Sequence, residues 1–139
     1  MNTIEQNKVL KIHGIFLLIV TLINTILSII GLKTGLGPFA FNKEIPMAEV
    51  GLFQAYLLML LIGIVLILNI KSKHSWKYDM LGAIAHLIPL ATLLLFQDTV
   101  IEVMGVKIFI ASALIHIPWI IIESITAIII YKRDYAKSI

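Results

Sequence analysis

The richest chemistry in this chain lies between residues 112 and 126. Ser112, His116, Trp119, Glu123 and Thr126 recur at spacings of four, three, four and three, so a helix sets them in one stripe. Imidazole exchanges protons near neutral pH. A carboxyl group in apolar surroundings wants a proton, a cation or a strong donor. A second segment carries His86 and, three residues on, Pro89. Proline cannot donate to the carbonyl of Ala85, and a freed carbonyl beside His86 is placed to hold its tautomer. A third set is Thr21, Asn24, Thr25 and Ser28, at offsets of three, four and seven, again one helical face. Glu49, Gln54 and Tyr56 form a fourth. His13 precedes them all, near the start of the first apolar run, where solvation alone would account for it.

These groups define the chemistry to be weighed. His86, His116, Glu123, Asn24, Gln54, Tyr56, Trp119, Ser112 and Glu49 are expected to form a polar seam between helices. The seam would bind a small lipophilic ligand, with Trp119 and Tyr56 as ring contacts, or relay protons through His116 and Glu123. An alternative is a b-type haem held by His86 and His116, which stand at similar depth on two helices. Another is an accessory subunit in which the stripes only join helices by hydrogen bonds. Ser112, four residues from His116, has no G-x-S-x-G elbow around it. His86, His116 and Glu123 offer a two-histidine, one-carboxylate set, but H-E-x-x-H spacing is absent.

The elements that must position these residues are long apolar helices. Of the 139 residues, 60% are hydrophobic and 14% charged, with a mean hydropathy of +1.01. Soluble domains carry about 45–50% apolar and about 25% charged residues, so the balance points to lipid as the solvent. Four runs are long enough to span a bilayer, which takes roughly 20 residues: about 12–32, 47–70, 78–96 and 106–131. Segment 33–46 holds Gly35, Gly37, Pro38 and Pro46; segment 71–77 reads KSKHSWK; segment 97–105 holds Asp98 and Glu102. Such polar and turn-forming residues end helices. Small residues mark candidate close approaches: Gly63, Gly82, Ala85, Ala111 and Ala113.

The reading is an all-α, integral membrane, four-helix up-down-up-down bundle forming a single transmembrane domain, 1–139. Lys8, Lys11, Lys71, Lys73, Lys77, Lys132, Arg133 and Lys137 fall on one side, against Lys33, Lys43 and Lys107 on the other. Basic residues favour the cytoplasmic side, so both termini are expected there, in the plasma or inner membrane. The first apolar run is too long for a secretory leader and is expected to be retained. No cysteine is present, which removes disulfides, thiolate metal sites and a cysteine nucleophile. A net charge of +3, spread over helix flanks, forms no nucleic-acid-binding patch. The expected partners are the bilayer, a lipophilic ligand, and a second copy or a larger membrane complex.

Residues 48–58 read AEVGLFQAYLL, with Glu49 opening the second span. In helix count, loop pattern and this acidic start, the chain resembles small DoxX-like membrane proteins. It departs from their glycine and arginine pattern at Gln54, Ala55 and Tyr56. The resemblance implies a four-helix fold and a membrane-accessory or respiratory association; it carries over no catalytic residue.

Overall fold

A computed structural model describes residues 3–72 and 74–136. Lys73 and Lys137, counted above for orientation, lie outside the described residues. Five helices follow in order: α1 (Thr3–Thr34), α2 (Pro46–Leu68), α3 (Trp76–Leu95), α4 (Gln97–Met104) and α5 (Val106–Ala136), with a 3-10 turn at Ala40–Lys43. No strand occurs among the described residues.

The helix ends follow local chemistry. Gly35, at φ 71°, takes the left-handed conformation that closes α1, and its N–H donates to the Gly31 carbonyl at 2.8 Å. Pro46 sits in the first turn of α2, where its missing N–H is no loss. Gly105, at φ 86°, separates α4 from α5. Pro89 and Pro118 lie inside α3 and α5, which continue through them.

α1 packs along α2, and α3 packs along α5; contact between the two pairs is sparse. The first pair closes where Gly14 faces Gly63: a Cβ on Gly14 would stand 2.9 Å from the Gly63 carbonyl oxygen. Leu10, Leu17 and Leu66 fill the core beside this crossing. The second pair closes at Gly82, whose missing Cβ leaves room for the Glu123 carboxyl group. Of the other small residues proposed for close approaches, Ala85 and Ala113 are half-buried, while Ala111 is exposed and marks no contact face.

The protein is polar inside and apolar outside. Of the eleven largest fully buried side chains among the described residues, seven are polar: His13, His86, Glu123, Asn42, Asp79, Ser28 and Ser75. The exteriors of all four long helices expose Ile and Leu, among them Ile19, Leu58, Ile88 and Ile125. Such a surface favours an apolar environment at roughly 25 cal/mol per Å². Four helical stretches are long and apolar enough to cross a membrane, by length and composition: Lys8–Thr34, Pro46–Leu68, Trp76–Leu95 and Val106–Ala136.

Candidate functional site

The two helix pairs meet through side chains, and His13 makes the polar link across. It lies on the buried face of α1 with Leu10, Leu17, Thr21 and Ser28, at helical spacings. Its Nδ1 is hydrogen-bonded to Glu123 Oε1 of α5. Its Nε2 lies 2.7 Å from His86 Nε2 of α3. His86 Nδ1 in turn lies 2.8 Å from His116 Nδ1 of α5. The Trp119 ring stacks on His13 at 4.2 Å and 17° and lies nearly parallel to His86 at 6.1 Å. Phe16 covers the same indole at 5.3 Å. His13, His86 and Glu123 are fully buried.

The result is an unbranched chain, Glu123–His13–His86–His116, joined by three hydrogen bonds. Each bond needs one proton between its two heavy atoms. Two arrangements satisfy all three with neutral imidazoles. In the first, Glu123 is a carboxylate accepting from His13 Nδ1–H, His86 Nε2–H donates to His13, and His116 Nδ1–H donates to His86. In the second, Glu123 carries the proton and donates to His13, and every other bond is reversed. The two differ by one proton, which enters or leaves at the outer nitrogen of His116.

Beyond the Glu123 end of the chain lies a second acid. Asp79 of α3 is fully buried and within electrostatic reach of Glu123. Neither carboxyl oxygen of Asp79, nor Oε2 of Glu123, meets a hydrogen-bonding partner among the described residues. Asp79, Gly82, Ala83 and His86 form the buried face of α3, and Gly82 is where the Glu123 carboxyl group rests.

The structure thus brings together four of the expected seam residues, His86, His116, Trp119 and Glu123. Ser112 is half-buried one turn from His116, and Asn24 is half-buried on α1. Glu49 and Tyr56 belong to a separate centre. Glu49 is not solvated: Ser28 Oγ donates to its Oε1 at 2.9 Å, and Asn42 Nδ2 donates to its Oε2 at 2.5 Å. Tyr56 is buried edge-on against Phe39 at 6.3 Å. Ser28 lies fifteen residues along α1 from His13, about 22 Å at 1.5 Å per residue, with Leu17 on the same buried face between them. The single continuous seam is therefore two centres. Gln54 joins neither. It is exposed on α2, because five residues beyond Glu49 it has turned about 140° away from the buried face.

Two residues central to the site were not among those singled out. His13 read as a solvated end because the apolar run begins at Ile12; the helix itself begins at Thr3, three turns earlier. Asp79 drew no reading from the sequence. Its signal was its spacing, three before Gly82 and seven before His86.

His86 and His116 touch directly, with ring centroids 5.1 Å apart. No group of three or more His, Asp or Glu side chains among the described residues is arranged to hold a metal ion. Comparison of the chain with family models, with curated proteins and with solved structures gave no match.

Proposed function

We propose that this is an integral membrane protein, an up-down-up-down arrangement of four spans, that relays protons along Glu123–His13–His86–His116. The observation that carries the reading is the unbroken hydrogen-bonded chain across three helices. A proton placed on the free nitrogen of His116 moves as a concerted shift. The His116 Nδ1 proton passes to His86, the His86 Nε2 proton to His13, and the His13 Nδ1 proton to Glu123. Each imidazole ends neutral in its other tautomer, and Glu123 ends protonated. No group in the chain must hold a lasting positive charge in the membrane interior, where an unpaired charge is costly.

The depths support a path along the membrane normal. His116 lies ten residues into α5, about 15 Å from its start, and Glu123 lies about 10 Å further on. The lysine distribution favours the Glu123 end and both termini on the cytoplasmic side. The ligand branch of the reading is less favoured, because Trp119 is already engaged by His13 and Phe16. The DoxX-like resemblance rests on the four spans and Glu49; an association with a larger membrane complex is compatible with the relay and independent of it.

The test is proton flux in liposomes holding the full-length protein and an internal pH-sensitive dye. After an external acid pulse, the wild-type protein should dissipate the gradient faster than protein-free liposomes. Glu123→Gln keeps the shape and a donor to His13 but cannot take up the relayed proton, so it should lose this flux. Wild-type flux equal to that of protein-free liposomes would overturn the reading.

A further inference from the structure

The relay as described stops at Glu123, inside the protein. A proton delivered there must leave, or the chain can carry only one. Glu123 Oε1 is committed to His13; Oε2 is the only atom of this carboxyl group left to pass the proton on. It is buried without a partner among the described residues and rests against α3 at Gly82. One turn back along the same face of α3 stands Asp79, fully buried, with two further unpartnered oxygens.

A bare carboxylate buried without donors costs several kcal/mol, and nothing in the packing offsets that for Asp79. From α5, Glu123 lies within electrostatic reach of Asp79; His86 lies on its own helix and His13 reaches in from α1. One proton held by one or the other of the two acids lets them coexist, because two neighbouring carboxylates resist ionising together.

The position of Asp79 also suits exchange with water. It is three residues from the start of α3, about 4.5 Å along the axis. Ser75 stands one turn before it, and His74 and Lys77 nearby are exposed. At this end, α3 and α5 are held by an edge-on contact of Trp76 with Tyr131 at 5.2 Å, with Lys77 Nζ 5.7 Å over the Trp76 ring. This is an aromatic closure at the N-terminal end of α3.

We propose that Asp79 is the proton-exchange group at the Trp76 end of the relay, taking the proton from Glu123 and releasing it to water. The inference rests on the relay reading above. In the transfer, the arrival of the relayed proton on Glu123 lets Asp79, which holds the proton of the pair at rest, give that proton to a water molecule at the Ser75 end. The Glu123 O–H bond then breaks and an Asp79 O–H bond re-forms, which restores one proton on the pair and leaves Glu123 a carboxylate that accepts again once His13 is back in its Nδ1–H tautomer.

The experiment is the same acid-pulse flux with full-length Asp79→Asn and Asp79→Glu proteins. Asp79→Asn should slow proton flux about tenfold or more, in the lower range of what losing a positioned acid–base group costs. Asp79→Glu should retain most of it. Wild-type flux with no loss in Asp79→Asn overturns the role of Asp79 while leaving the relay standing; absence of wild-type flux overturns both. Should Asp79→Asn fail to fold, infrared spectroscopy of the Glu123→Gln protein decides. A protonated-carboxyl band that shifts promptly in D2O supports exchange at Asp79, and no exchanging buried carboxyl band overturns it.

Discussion

Replacing Gly82 by alanine tests the site through stability, without any assumption about transport. The added Cβ would overlap the Glu123 carboxyl group. That group cannot swing aside freely, because it is fully buried and bonded to His13. Forcing extra volume into a packed contact costs about 1–3 kcal/mol. A lost interhelical hydrogen bond in a membrane costs on average ~0.6 kcal/mol and at most ~1.7. Against this, alanine is better than glycine inside a helix by up to ~1 kcal/mol. The steric and hydrogen-bonding losses win, and Gly82→Ala should be less stable than wild type by about 1–3 kcal/mol, within the sum of those ranges. Gly51→Ala is the matched control. Gly51 lies exposed on α2 with nothing near its absent Cβ, so only the propensity gain applies and the variant should equal or slightly exceed wild type. The assay is reversible unfolding in mixed micelles titrated with SDS and followed by helical circular dichroism. Equal stability of the Gly82 and Gly51 variants would refute the contact between Glu123 and α3.

Three other outcomes are expected. Glu49→Ala deprives Ser28 and Asn42 of their common acceptor and should cost about 1–3 kcal/mol in the same titration, with proton flux in liposomes unchanged; loss of flux would join the two polar centres functionally. Gln54→Leu, at an exposed position, should leave stability within about 0.5 kcal/mol and flux at the wild-type level; a larger loss would show that Gln54 has a buried partner. Glu123→Gln should unfold within about 1 kcal/mol of wild type, since the amide still serves His13, yet conduct no protons. A variant that fails to assemble would make the carboxylate structural.

The sequence made the long helices legible because lipid demands uninterrupted apolar runs. It was less informative at their margins. The first span was expected to begin at residue 12, but α1 starts at Thr3 in a polar stretch that hydropathy does not register as spanning. His13 therefore lies inside α1 rather than at its end. Helix α4, QDTVIEVM, is eight residues long, too short and too polar to stand out from a loop. The stripe from Ser112 to Thr126 was readable because five polar residues kept helical phase in an apolar run, and its buried members Glu123 and Thr126 face the interior. Which other stripes would meet it was not readable. Periodicity fixes which residues share a face but not which faces touch, so Gln54 was grouped with a site it does not reach, and Glu49 with the wrong centre. Asn42 lay beyond periodicity altogether, since a loop folds it back onto Glu49.

His86 offers the most direct trial of the relay, because both of its nitrogens are links. Acid-pulse flux should be compared between wild type and His86→Phe, which keeps a flat ring in the packing but breaks the chain at two bonds. Wild-type protein should conduct above protein-free liposomes, and His86→Phe should fall to their background. Full conduction by His86→Phe would mean that protons take another route and that the histidine chain is a structural fastening between the helix pairs.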